Sequence, residues 1–290
     1  MINLNIAGAV AHYDEFIKKI PVLNLIHKDL SFNVYEGPNL CHWNGGRINR
    51  DITITPEIIQ KYNKLGITVS FTFTNPVIDL SDAVGNKLLT WLDESQKLYG
   101  LKNKIILINE DLRRYLRNNY DFELIYSITG HPSDTKITDN LLKRYKNLES
   151  KYDWIVPKFE VVFEPHFYNV LDTSKYELLI NDTCIYSCPY YSEHFQKIAE
   201  PNAVSKNPWK ELGAAHCYEV EECWLPKFDP DVGRKEHQDE YGERMGMDYT
   251  TDMIVKAKAL GYTSFKISGR ENPTTAIIEE IGIFCDDIKQ

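Results

Sequence analysis

No stretch of this 290-residue chain approaches the roughly 18 consecutive apolar residues that a membrane span needs. The opening MINLNIAGAVAHYDEF has no basic leader ahead of its apolar residues. A membrane protein is therefore not expected, and the cytoplasm is the default compartment. Asn181-Asp182-Thr183 matches a glycosylation acceptor, but without a secretion signal the match has little meaning. Blocks of lysine or arginine are also missing, and the net charge is -9. That argues against non-specific binding to a phosphate backbone, while leaving room for an RNA substrate held in a local basic groove. G-x-G-x-x-G is absent from the first βα turn, and neither G-x-S-x-G nor H-E-x-x-H occurs anywhere. Dinucleotide binding, the serine-hydrolase elbow and the common zinc-protease helix lose their signatures with them. Cysteine is scarce: six residues, which in a reducing compartment are thiols, metal ligands or catalysts rather than disulfides.

At 43% hydrophobic, the chain can bury a large core. Short β-rich runs alternate with helical patterns along most of it. Strands are expected at LNIAG (3–7), FNVYEG (32–37), TVSFTFT (68–74), KIILIN (104–109), ELIYSITG (123–130), WIVPK (154–158), ELLIND (177–182) and SFKIS (264–268). Helices between them carry their own punctuation. In TPEIIQKYNKLG, Thr55 is the cap candidate, Pro56 suits the first helical position and Gly66 closes. TDNLLKRYKNLESKY and TTDMIVKAKALGY repeat the logic, and NPTTAIIEEIGIFCDDIKQ makes a terminal helix with Asn272 as cap and Pro273 first. Eight strands separated by helices predict a TIM-like (β/α)8 barrel, complete or distorted, occupying residues 1–290 as one domain. One segment breaks the alternation: residues 201–248 have no sustained period and read as an insertion after the seventh strand.

Barrels keep their reacting groups at the C-terminal ends of the strands. The residues there are Glu36, Asn39 and Cys41, then Asn75, then Asn109 and Glu110, then His131. Lys158 and Glu160 follow the sixth strand, Asn181, Asp182, Cys184 and Cys188 the seventh, and Ser268 and Arg270 the eighth. Among the cysteines, Cys285 falls on the apolar stripe of the terminal helix and reads as a core thiol. Cys184 and Cys188 form one close pair, and Cys217 and Cys223, in HCYEVEEC, form another within the insertion. Four thiolates suit either zinc or an iron–sulfur cluster. The C-x3-C and C-x5-C gaps are a poor match to the usual zinc turns. Unliganded thiols and a redox pair remain alternatives. His166, His194 and His216 are substitute ligands.

The succession YEGPNL, CHWNGGR, VSFTFTN, KIILINEDL, ELIYSITG, WIVPKFEV, ELLINDTCIYSC and FKISGR resembles the U32 peptidase family, also called collagenase-like proteases. Its closing lysine, isoleucine, glycine and arginine run is the most specific piece. The resemblance implies a TIM-like barrel. It also implies, for several family members, a [4Fe-4S] cluster on four cysteines and oxygen-independent hydroxylation of ubiquinone precursors or RNA bases. Carried over, the ligands are Cys184, Cys188, Cys217 and Cys223, with Cys41 as the competing fourth, and Lys266 and Arg270 match the closing motif. The family's peptidase element of glutamate, phenylalanine, glycine and a double cysteine is not legible around Cys184, which weighs against proteolysis.

Three functions follow. The first is an iron–sulfur barrel enzyme performing redox chemistry or hydroxylation on a small or nucleotide-like substrate. Its catalytic candidates are Glu36, Asp182 and Arg270, and Lys266, Arg270, Asn181 and His131 are its substrate-binding candidates. Arginine suits the anion-holding part because its planar fork matches carboxylate and phosphate. The second is a hydrolase or peptidase of the U32 type, with zinc or no metal, using Glu36, Glu164 or Asp182 as base with His131 or His194 nearby. The third is a non-catalytic partner subunit with a structural cluster, for which Trp43, Trp209 and Trp224 would suit a protein interface. For Lys266 and Arg270 the plain structural reading is pairing with barrel carboxylates such as Glu36 or Glu164.

Overall fold

Alternation along each strand sorts its side chains between two cores. In β1 (Ile2–Ala7), Leu4 and Ile6 pack into the large cluster between sheet and helices, and Ala7 belongs to a smaller cluster with Tyr35, Ile106, Ile125 and Val156. The smaller cluster lies inside a barrel. The computed structural model describes residues 1–45, 52–133, 136–182, 191–192, 195, 199, 247–269 and 272–289. Its main sheet consists of β1, β2 (Leu30–Glu36), β3 (Val69–Phe73), β4 (Lys104–Leu107), β5 (Glu123–Tyr126), β6 (Trp154–Ile155), β7 (Glu177–Leu179) and β10 (Ser264–Ile267), all pairing in parallel. A parallel bridge between Ile155 and Tyr176 joins β6 to the start of β7 and closes the ring. Followed through the strand registers from Asn5, the ring returns to β1 displaced by eight residues, which is the shear of a (β/α)8 barrel.

Helices cover the outside: α1 (Tyr13–Ile26), α2 (Pro56–Lys64), α3 (Ala83–Tyr99), α4 (Glu110–Asn119), α5 (Asp139–Glu149), the short α6 (Pro165–Tyr168), α7 (Thr251–Ala259) and α8 (Thr274–Asp287). Side-chain caps fix several of their starts. Asp82 accepts from Val84 N and Gly85 N, Asn109 from Leu112 N, Thr138 from Leu141 N and Thr250 from Met253 N. Thr55 stands at the α2 cap without capping it; its hydroxyl bonds the Glu57 carboxylate instead. The terminal helix begins one residue later than the sequence suggests. Pro273 is its N-cap, because Asn272 is held in a turn by its N–H to Gly269 O (2.8 Å), with Gly269 at φ 99°. Cys285 is buried, as its stripe predicts.

The shear fixes which side chains share a level on the axis. β1, β3, β5 and β7 contribute Asn5, Ser70, Ile125 and Glu177 to one layer. Toward the C-terminal mouth, β2, β4, β6 and β10 contribute Tyr35, Ile106, Val156 and Lys266. Toward the other end they contribute Asn33, Lys104, Trp154 and Ser264. Barrel interiors are ordinarily dominated by valine, isoleucine and leucine. Here the lower half is polar and charged.

The expected seventh strand, 177–182, is in fact two. Ile180 donates its N–H to Lys266 O (3.0 Å), after which β8 (Asn181–Asp182) leaves the barrel and pairs antiparallel with β9 (Met247–Asp248). The ladder joins the two ends of segment 183–246, most of which lies outside the described residues. No helix among the described residues is long and apolar enough to cross a membrane.

Candidate functional site

The polar side chains at the C-terminal ends of the strands are mostly committed to the protein itself. Glu36 lies on the outward face of β2, in phase with Phe32 and Val34. Its Oε2 accepts from Val10 N (3.0 Å) and Ala11 N (3.4 Å), and its Oε1 from Gly37 N (3.0 Å). The carboxylate therefore straps the β1–α1 loop to the end of β2. Asn181 is similarly engaged: its Nδ2 donates to Ser268 O (3.2 Å) and Glu280 Oε2 (2.7 Å), and its Oδ1 accepts from Ser268 N (2.6 Å). It clasps the ends of β7 and β10 and ties them to α8. Asn75 donates to His42 O (2.8 Å) and Ala199 O (3.2 Å) and accepts from Val77 N (3.0 Å).

Beside Asn75, Gly45 packs so tightly that a Cβ there would stand 2.5 Å from Thr74 C and O and 2.6 Å from Asn75 N. These are backbone atoms and cannot swing aside. Gly45→Ala is expected to cost about 1–3 kcal/mol by overpacking, seen as a lower urea midpoint with an unchanged slope. An unaltered midpoint would mean the loop gives way freely.

Two lysines line the inside of the barrel toward the mouth. Lys266 places its Nζ 4.1 Å from the Tyr35 ring centroid and 3.9 Å from Glu177 Oε1. Its carboxylate partner is thus Glu177 on the adjacent strand, where the sequence suggested Glu36 or Glu164. Lys158 sets its Nζ 3.2 Å from the Tyr191 ring centroid. Both are buried, so each long stem is covered while the ammonium meets a ring face.

His131 sits after β5 with its ring stacked on Tyr145 (4.8 Å between centroids) and edge-on to Tyr126 (5.1 Å). Its Nε2 stands 3.0 Å from Val156 O, and because a carbonyl can only accept, that nitrogen carries the proton. Burial first, and then the Arg144 charge, pull the imidazole down to about 3. It is a neutral, buried histidine.

Two of the proposed metal ligands lie among the described residues, Cys41 and the substitute His166, which sits in α6; for Cys41 the surroundings weigh against the role. Its thiol donates to Asp82 Oδ2 (3.6 Å), and burial together with the Asp82 charge pushes it far above the usual thiol range. Serving as a ligand would require it to give up both that partner and its proton. Among the described residues, no group of three or more histidine, cysteine, aspartate or glutamate side chains is placed to hold a metal ion. Cys184, Cys188, Cys217, Cys223 and Arg270 lie outside the described residues, as do His194, His216 and the side chain of Asp182.

A cavity of about 290 Å³ opens at the ends of β3, β4 and β5, bounded by Thr74, Asn109, Glu110, Tyr126, Thr129 and Phe195, among others. The Tyr126 hydroxyl donates to Gly130 O (2.8 Å) and accepts from Arg144 Nη2 (3.0 Å). Glu110 takes a bidentate pair from Arg113 (2.9 and 2.8 Å), and Arg114 and Lys151 stand at 3.4 and 3.9 Å. The Arg113 hydrogen bonds hold the Glu110 carboxyl below its ordinary range. Of these residues, the sequence reading singled out only Asn109 and Glu110. Thr74, Tyr126 and Thr129 extend the same strand ends, and their hydroxyls were the available signal.

No protein-family model matches the chain, and no curated protein matches it. Among solved structures it is similar to the U32 peptidase Mk0906, at 13% identity over 94% of this chain and 95% of that one, with a TM-score of 0.54. The chain has the fold of a U32 peptidase. It is also similar to the Bacillus cereus spore cortex-lytic enzyme SleL, at 12% identity over 99% of this chain and 74% of that one, with a TM-score of 0.41. In this U32-type barrel the mouth is framed by Lys158, Lys266 and the 290 Å³ cavity, with the β8–β9 ladder at the end of β7.

Proposed function

We propose that this U32-type barrel is an enzyme holding a [4Fe-4S] cluster on Cys184, Cys188, Cys217 and Cys223. It would act by redox chemistry or oxygen-independent hydroxylation on a small or nucleotide-like substrate. The observation that supports this reading is the β8–β9 ladder. It fixes both ends of the segment bearing all four cysteines at the end of β7, the face where barrels of this kind keep their reacting groups. The donor set fits as well: Cys184 follows the end of β8 by two residues, and thiolates are the usual ligands of such clusters. A bound cluster supplies one-electron transfer. The chain's own contribution is positioning. Lys266, with Arg270 beyond it in sequence, would hold an anionic group of the substrate, while Asn181 keeps the ends of β7 and β10 together beneath it. Asp182 is the remaining candidate base, since Glu36 is occupied by three backbone donors.

Iron and acid-labile sulfide analysis on anaerobically purified protein tests this. About four of each per chain are expected, with a broad absorption near roughly 400 nm that Cys184→Ala abolishes. Their absence from protein made in iron-replete, anaerobic cells would overturn the cluster. A second reading, a peptidase with zinc or no metal, draws on the name of the structural neighbour, a U32 peptidase. Zinc without iron, together with cleavage of gelatin, would favour it.

A further inference from the structure

One layer of the barrel axis leaves three buried polar atoms without a hydrogen-bond partner. They are Asn5 Oδ1, Ser70 Oγ and Glu177 Oε1, each from a residue at most 2% exposed. The strand registers put all three residues at the same level, with Ile125 as the apolar fourth member. Two of the atoms belong to groups already in contact, because Asn5 Nδ2 donates to Glu177 Oε2. Just above, Lys266 Nζ stands 3.9 Å from Glu177 Oε1, too far for a direct hydrogen bond. Polar pairs at that separation are commonly bridged by water.

The chemistry of the layer narrows the occupant. Asn5 Oδ1 and Glu177 Oε1 can only accept, Ser70 Oγ can donate, and the Lys266 ammonium can only donate. A metal cation would meet three oxygens but also the charges of Lys266 and Lys104, both of which act on Glu177. An anion would meet the Glu177 carboxylate. A neutral group with two donors and two acceptors satisfies every atom. We infer that the axis holds one ordered water that donates to Asn5 Oδ1 and Glu177 Oε1 and accepts from Ser70 Oγ and Lys266 Nζ. Through it, Glu177 is a positioning residue for the Lys266 ammonium. The inference does not depend on which reaction the mouth performs. Fully bonded internal waters of this kind are part of a fold.

Two measurements on the full chain test it. A crystal structure fine enough to place waters should show a single peak within about 2.7–3.2 Å of Asn5 Oδ1, Glu177 Oε1, Ser70 Oγ and Lys266 Nζ. Water oxygen-17 relaxation dispersion should count one fewer long-lived internal water in Ser70→Val than in the native chain. Native density with Lys266 Nζ bonded directly to Glu177 Oε1 and no water between would overturn the inference. So would a peak with the shorter distances of a metal ion, or equal water counts in folded Ser70→Val and native protein. If Ser70→Val does not fold, the native density alone decides.

Discussion

Replacing Glu177 with leucine is expected to destabilise the barrel by about 3–5 kcal/mol, the usual cost of removing one partner from a buried ion pair. Glu177 is 1% exposed, and its carboxylate receives Asn5 Nδ2 and Ser264 Oγ (3.2 Å), with Lys266 Nζ nearby. Burial pushes the carboxyl up, and Lys266 and Lys104 pull it part of the way back. Leucine fills a similar volume but leaves the Lys266 ammonium in the lumen with the Tyr35 ring and without its carboxylate. Lys104 is less affected, because it keeps Glu123 at 3.2 Å. Lys266→Met in the Glu177→Leu background should therefore recover much of the loss, since what destabilises is a buried ammonium deprived of the Glu177 carboxylate rather than the missing contact. Urea denaturation of the two single variants and the double variant measures this coupling. Single-variant costs that simply add would show that the two groups do not act as a pair.

All eight barrel strands were legible because each is a short apolar or β-branched run bounded by turn residues, and because α2, α5 and α7 announce themselves by caps and apolar stripes. Even β6, only two residues long, was legible from the WIVPK run at 154–158, of which only Trp154 and Ile155 form the strand. What the sequence withheld was the facing of each strand. In a sheet buried on both sides the pattern loses its polar face, so nothing in FNVYEG says whether Phe32, Val34 and Glu36 face the helices and Tyr35 the lumen, or the reverse. The barrel's shear decides it, and Glu36 turns outward onto the β1–α1 loop. Register was withheld for the same reason. Lys266 meets Glu177 only because β10 inserts between β1 and β7. Among the described residues, Glu36, Asn75, Asn109, Glu110 and Asn181 do stand at the strand ends where the sequence placed them. The structure adds that Asn75, Asn109 and Asn181 spend their amides on neighbouring loops and helix ends.

Acidification should weaken the fold through His131 well before the carboxylates titrate. In the folded chain its imidazole stays neutral down to about pH 3, because protonation would place a charge inside an aromatic cluster facing Arg144 and Lys158. In the unfolded chain it protonates near pH 6.5. Between those limits the unfolded state binds one more proton than the folded state, so stability rises with pH across the window and falls as pH is lowered through it. The slope for one such group is about 1.4 kcal/mol per pH unit, so going from pH 6.5 to 5 should remove about 2 kcal/mol. His131→Phe keeps the stacking on Tyr145 but leaves Val156 O without its donor. It should lose about 1 kcal/mol at neutral pH and show a correspondingly shallower decline on acidification. Urea midpoints at pH 7, 6 and 5 for both proteins separate the two effects. Parallel declines, or an imidazole resonance titrating near 6.5 in the folded chain, would show that His131 reaches water and is free to take up a proton at the mouth.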